Sequence, residues 1–282
     1  MKGLAGQRLL ITRARDDLAP LAELVRARGA QPICFPCIEL LPPDGPELAA
    51  LDAALAALAR EAPAAIPLAS PHAVEFLLLR MRALGLAPSL LGRSLVAAAG
   101  EATARALEAH GVAAQRPASG AGAAPLAVLL REWLSAPADA GSVDAPPGDG
   151  WHATHLRPGA RVLLPQAAEA TPLLAGELRA AGFSVEPLVL YRTVAATLGA
   201  AHDEGLAALR ARRIDAITFA SGSAARGFQT LLGDEAHGLA AHARIACMGA
   251  SCAEVARSLG FAVAAVGSSG LGSLLDALEA SG

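Results

Sequence analysis

Aromatic residues make up only 3% of the 282 positions, and Tyr191 is the sole tyrosine. Stacked-ring platforms for nucleobases are therefore excluded as an organising theme. Lysine is nearly missing: Lys2 stands alone, and the formal net charge of −3 comes without any basic run. Nucleic acid and an anionic membrane thus lack the charge footprint that would make them partners. Charged residues reach 17%, with the arginines scattered over expected helix faces. No uncharged apolar stretch is long enough to span a bilayer; the alanine-rich window from Leu48 to Leu58 contains Asp52 and runs into Arg60 and Glu61. The start, Met1 to Arg8, leaves no room for a secretory apolar region, so a soluble, cytoplasmic protein is expected.

Four cysteines are present: Cys34, Cys37, Cys247 and Cys252. Cys34-Phe-Pro-Cys37 has the spacing of a redox or zinc pair, but it closes an expected strand and does not open a helix. No second pair with ligand spacing follows, and His152-x-x-His155 falls in a Gly/Pro-rich loop. Burial is the common fate of such thiols, so a metal or redox role is not expected. Neither G-x-G-x-x-G after a strand nor a P-loop lysine pattern occurs, which disfavours a nucleotide-dependent dehydrogenase or transferase.

What remains is a 54% hydrophobic chain built on Ala, Leu and Val, long enough for two α/β domains. Ile214 to Phe228 sets the pattern: the apolar run Ile214–Phe219 reads as a buried strand, Ser221-Gly222-Ser223 as a turn, and Ala224 onward as a helix opening. Such a turn aims unsatisfied N–H groups and the positive end of a dipole at an anion. Strands are also read at Arg8–Arg13, Pro32–Cys37, Ala64–Ala69 (interrupted by Pro67), Leu95–Ala99, Arg161–Pro165, Val185–Leu190, Arg244–Gly249 and Ala262–Val266, with helices between them. Residues 135–158, rich in Pro, Gly, Asp and Ala without periodicity, are expected to form a mobile surface loop or insertion.

The chain repeats itself. Arg161 and Gly182 lie 153 residues after Arg8 and Gly29; Gly249, Ala253 and Gly260 lie 149 after Gly100, Ala104 and Gly111; Ser221 lies 151 after Ser70. Each half then offers three strand-to-helix turns. They are Thr12-Arg13, Ser70-Pro71-His72 and Gly100 to Thr103 in the first, and Pro165-Gln166, Ser221-Gly222-Ser223 and Gly249 to Cys252 in the second. Ligands of open parallel sheets bind beyond the carboxyl ends of strands, where these turns fall. Two such domains facing one another would line a cleft with helix N-termini and hydroxyls, suited to a large ligand with dispersed anionic groups.

Taken together, Arg8-Leu-Leu-Ile-Thr-Arg13, Ala69-Ser-Pro-His-Ala-Val74, Gly100-x-x-Thr103-Ala104, Leu188-Val-Leu-Tyr-Arg-Thr193, Ile217-Thr-Phe-Ala-Ser221 and Met248-Gly-x-x-Cys-Ala253 resemble the uroporphyrinogen-III synthase family, over nearly the whole chain. The resemblance implies two similar parallel-sheet α/β domains joined by a two-stranded β connector, bilobed with a central cleft. Residues 1–37 plus 196–282 would form a discontinuous first domain, 42–187 the second, and 38–41 with 188–195 the connector. It implies a cofactor-independent monomer that closes hydroxymethylbilane, a linear tetrapyrrole with eight carboxylates, to uroporphyrinogen III. Ring D is inverted through a spiro intermediate and water is lost. Transient contact with the bilane-forming enzyme would deliver the substrate.

Tyr191 matches the family tyrosine held to assist departure of the hydroxyl; a phenol with pKa near ~10 is protonated at neutral pH. Thr12, Arg13, Ser70, His72, Gly100, Thr103, Ser221, Gly222, Ser223, Gly249 and Ser251 match substrate-binding turns. For the hydroxyl residues helix capping is an equal reading, and Arg13 either faces the cleft or is solvated. Gly222 and Ala250 replace usual prolines, Cys252 a usual threonine and Gln166 a frequent arginine. A non-catalytic two-domain binder of a polyanionic metabolite is the alternative.

Overall fold

The computed structural model describes residues 3–120, 122–135, 158–268 and 270–282. In chain order the elements are β1 (Arg8–Ile11), α1 (Leu18–Ala27), β2 (Gln31–Cys34), β3 (Ile38–Leu41), α2 (Gly45–Ala57), β4 (Ala65–Leu68), α3 (Pro71–Ala83), β5 (Leu95–Ala98), α4 (Glu101–Glu108) and α5 (Ala123–Ser135). Then come β6 (Arg161–Ala167), α6 (Leu173–Ala180), β7 (Ser184–Ala195), α7 (Asp203–Arg210), β8 (Ala216–Phe219), α8 (Gly222–Leu232), α9 (Ala236–Ala240), β9 (Arg244–Met248), α10 (Ala250–Ser258), β10 (Val263–Gly267) and α11 (Gly270–Ala280). They divide into two units, Met1–Leu40 with Thr193–Gly282, and Leu41–Arg192. The chain passes from one to the other within β3 and returns within β7.

The first unit holds a five-stranded sheet of order β10-β9-β8-β1-β2, parallel at every pairing. Its strands are apolar on both sides because helices cover both faces, the normal consequence of parallel pairing. Alternate residues enter different cores. Leu9 and Ile11 pack with Leu21 and Val25 of α1 and Leu274, Leu275 and Leu278 of α11. Leu10, Ile217 and Phe219 instead pack with Leu209 of α7, Phe228 of α8 and Ala253 of α10.

The second sheet has the order β3-β7-β6-β4-β5, with β4–β5, β4–β6 and β6–β7 parallel. Set strand for strand, β9-β8-β1-β2 of the first sheet corresponds to β5-β4-β6-β7 of the second. That is the pairing the sequence offsets demand. Beside β5, where β10 stands beside β9, Gln115 makes a parallel bridge with Ala97. The matched glycines do the same work in both units: Gly29 and Gly182 have φ of +73° and +89°, values at which a side chain would strain the backbone that ends the preceding helix.

Two expectations change. Pro67 does not interrupt its strand; β4 continues through it, Pro67 pairing in register with Ala97 of β5. Its missing N–H coincides with a β4–β6 register that rests on Ala65 and Val162. The strand expected to reach Cys37 stops at Cys34, and the 3-10 turn Pro88–Arg93 and the short α9 had no distinctive pattern in sequence. The loop expected at 135–158 lies, apart from its two end residues, outside the described residues.

Candidate functional site

In both units the sheet order reverses beside the strand that carries a serine-capped helix, which is where ligands of doubly wound sheets sit. In the second unit that reversal lies between β4 and β6. Ser70 takes an extended conformation (φ −154°, ψ 157°) and caps α3, its Oγ accepting from the Ala73 N–H at 3.1 Å. Pro71 at the first helical position has no N–H to leave unsatisfied and is already set for the helix.

Tyr191 comes to the same place from β7. The register of β7 against β6 shifts between Gln166–Val189 and Ala167–Tyr191, so that Leu190 and Tyr191 are both buried in succession. A bulge of this kind breaks the two-residue alternation and re-aims the side chain that follows. The Tyr191 hydroxyl then lies 3.4 Å from Ser70 Oγ. Its ring stacks on Phe76 at a centroid distance of 4.9 Å and meets the His72 ring at 6.2 Å, near edge-on. Only 8% of Tyr191 is exposed. Ser70, His72 and Tyr191 are thereby brought together, 121 residues apart for Ser70 and Tyr191.

Beside them on β5, Gly100 N-caps α4 with extended backbone. Thr103 sits one turn in and is 4% exposed, without a side-chain hydrogen bond among the described residues, so it does not cap the helix.

In the first unit the reversal lies between β8 and β1. Ser221 caps α8 as Ser70 caps α3, Oγ accepting from Ala224 N–H at 3.2 Å, and Gly222 and half-buried Ser223 open the helix. Gly222 stands where the first turn has Pro71 because α10 leaves no room: an added Cβ would lie 2.9 Å from Val255 Cγ2. Gly249 N-caps α10 with φ +84°, and Ser251 is an exposed second helical residue, so its hydroxyl is not the cap. Cys252 is buried and donates its thiol to the Phe219 carbonyl at 3.3 Å, as a threonine hydroxyl would.

Two residues read differently in the structure. Thr12 is fully buried and donates its hydroxyl to the Thr218 carbonyl at 2.7 Å, while Thr218 donates to the Leu10 carbonyl at 3.2 Å. The β1–β8 pairing turns that hydroxyl into the sheet, which removes it from the ligand donors. Arg13 is neither free in solvent nor unpaired; its guanidinium meets Asp17 at 3.1 Å. Cys37 is buried, its thiol donated to the Phe35 carbonyl, and burial pushes it well above its ordinary pKa, while Cys34 is exposed. Among the described residues no cluster of His, Cys, Asp or Glu could hold a metal, and no helix is long and apolar enough to cross a membrane.

Sequence reasoning missed Phe76 as the partner of the tyrosine ring; helical spacing from Ser70 was its only signal. It also missed the turn after β10, where Ser268 N–H donates to Ser273 Oγ at 2.7 Å ahead of α11. The Gly/Ser run from Gly267 to Ser273 was the available cue.

The family model described as uroporphyrinogen-III synthase HemD matches residues 19–269. A sequence search of curated proteins finds no match. Among solved structures, a mutant uroporphyrinogen III synthase from the extremely thermophilic bacterium Thermus thermophilus is similar at 21% identity with a TM-score of 0.57, over 98% of each chain. Uroporphyrinogen-III synthetase from Helicobacter pylori is similar at 15% identity with a TM-score of 0.58, over 96% of this chain and 97% of the other. At these identities the two structures show the fold, whereas the family model covers most of the chain. The chain belongs to the uroporphyrinogen-III synthase family.

Proposed function

We propose that this chain closes hydroxymethylbilane to uroporphyrinogen III, acting as a cofactor-independent hydro-lyase. The observation that carries this reading beyond family membership is the placement of the sole tyrosine, its hydroxyl 3.4 Å from Ser70 Oγ at the start of α3. The substrate's pyrrole nitrogens push out the terminal hydroxyl, so the protein needs only a hydrogen-bond donor at the leaving oxygen. Tyr191 takes that role.

Choosing the isomer is harder, because an unguided bilane closes without inverting ring D. Carboxylates held by backbone N–H groups at helix starts, with the hydroxyls beside them, fix the chain of pyrroles. Each contact at a helix start is worth about 0.3–1 kcal/mol. Their joint effect is orientation, which in well-aligned reactions reaches ~7–11 kcal/mol. Thinly charged turns suit such binding, since they hold anions through main-chain groups and leave eight carboxylates exchangeable. In this reading 38–41 and 188–195 form the connector, the protein works as a cytoplasmic monomer, and the bilane arrives by transient contact with the enzyme that makes it.

A coupled assay with the bilane-forming enzyme tests the proposal. Type III product is expected; type I product alone, with the bilane still bound by the protein, would make the chain a binding protein.

A further inference from the structure

We propose that Phe76 is a positioning residue: its ring holds the ring plane of Tyr191, and with it the directions open to the phenol O–H. This rests on Tyr191 acting at the leaving oxygen, as set out above.

The chain spends its few aromatic rings almost entirely on its cores. Of six phenylalanines, Phe35, Phe183, Phe219, Phe228 and Phe261 are buried, and all but Phe183 pack ring against ring in the first unit. Phe76 is the half-buried exception. The core face of α3 is the stripe Ala73, Val74, Leu77, Leu78 and Met81, at helical spacing. Phe76 falls off that stripe, where the core does not require a ring. Its ring lies instead on Tyr191, near parallel at 26° and 4.9 Å between centroids. His72, one turn earlier on the same flank of α3, meets the tyrosine ring at 65°. All three residues belong to the unit Leu41–Arg192.

A flat neighbour on one face resists rotation of the tyrosine ring about its Cβ–Cγ bond, because a turning ring drives its edge into that neighbour. The phenol oxygen lies on the rotation axis and stays where it is. Its hydrogen does not: conjugation keeps the O–H in the ring plane, so a fixed plane leaves it two in-plane directions. Hydrogen bonds weaken steeply off line. Phe76 therefore governs alignment at the leaving oxygen and leaves the place of that oxygen to the backbone of β7. Such a residue acts on kcat and spares KM.

Phe76→Leu keeps an apolar side chain but loses the flat face, and Phe76→Tyr keeps the face. In type III formation Phe76→Leu is expected about five- to tenfold lower in kcat with KM within about twofold, and Phe76→Tyr within about twofold of wild type in both. The Phe76→Leu change is then repeated in a Tyr191→Phe background, where no phenol proton remains to be aligned. There it should alter kcat less than about twofold, since a residue that acts through another has nothing left to act through. Equal losses in both backgrounds, or wild-type kcat in Phe76→Leu, would overturn the role of Phe76. Unaltered turnover in Tyr191→Phe would overturn it together with the donor role and leave the synthase activity standing.

A second readout needs neither turnover nor a variant. In protein labelled with carbon-13 at the tyrosine ε positions, every tyrosine signal belongs to Tyr191. A held ring gives two ε signals, or one broadened by slow flipping, and Phe76→Leu should sharpen them into one. A single sharp signal in the wild type would overturn the hold. A wild-type protein that makes no type III isomer, yet whose slow flipping is relieved by Phe76→Leu, would overturn the synthase reading and uphold the hold on the ring.

Discussion

Two glycine-to-alanine substitutions, each inside a helix, should change stability in opposite directions. Gly176 lies within α6 and Gly227 within α8, so both positions are conformationally suited to alanine, and helix propensity alone favours the change by about 0.8–1 kcal/mol. At Gly176 an added Cβ meets nothing within 4 Å. Gly176→Ala should therefore realise most of that gain, about 0.5–1 kcal/mol. At Gly227 the Cβ would fall 2.1 Å from the Cys37 carbonyl oxygen, 2.9 Å from its carbon and 2.9 Å from Ile38 Cγ2. A carbon and an oxygen need more than ~3 Å, so α8 or the segment entering β3 must move by about 1 Å. Neither neighbour is the end of a flexible side chain, and overpacking of that kind costs about 1–3 kcal/mol or more, which exceeds the propensity gain. The Cys37 carbonyl also accepts from Ala196 N–H at 3.1 Å, so displacement would strain a second contact. Urea unfolding followed by circular dichroism reads both variants, each against the transition of the unit that carries it. A higher midpoint for Gly176→Ala and a lower one for Gly227→Ala are expected. A Gly227→Ala protein as stable as wild type would refute the close approach of α8 to Cys37.

Replacement of Tyr191 by Phe should lower type III formation at least tenfold while the folded protein is retained; unchanged turnover would remove the donor role of the phenol. Thr12→Val keeps shape but deletes the hydroxyl bonded to the Thr218 carbonyl, so it should cost about 1–2 kcal/mol and leave kcat and KM unaltered. An altered KM at full stability would return Thr12 to the binding surface. Asp52 of α2 is held below the usual carboxylate pKa by its hydrogen bonds to Arg80 of α3, both at 2.5 Å. A depressed folded pKa gives stability that is present above the unfolded value near ~4 and disappears as pH falls through the folded value. Asp52→Asn should therefore unfold more readily than wild type at neutral pH, and the two urea midpoints should converge on acidification. Midpoints that stay apart in acid would contradict this.

The repeat of strand, turn and helix was legible because its signals are local. Apolar runs mark β1, β8 and β9, Gly29 and Gly182 mark helix ends, and the serine at the start of α3 recurs at α8. The offsets also agree with the strand-for-strand correspondence of the two sheets. Contacts between distant residues were not legible. A threonine ending a strand reads alike whether its hydroxyl faces solvent or, as with Thr12, the neighbouring strand. Gly222 looked like a lost proline until Val255 was seen against it. Pro67 read as a break because sequence alone does not tell which ladder bond a strand can forgo. The sole tyrosine could be singled out in sequence only through the family match. Its hold by Ser70 and Phe76 depends on a bulge in β7 that no residue pattern announces.

The isomer ratio formed from hydroxymethylbilane, with the protein in molar excess, measures the central claim without intermediaries. If held orientation selects the ring carbon that closes, type III product predominates over type I. A ratio no different from that of protein-free solution would contradict it.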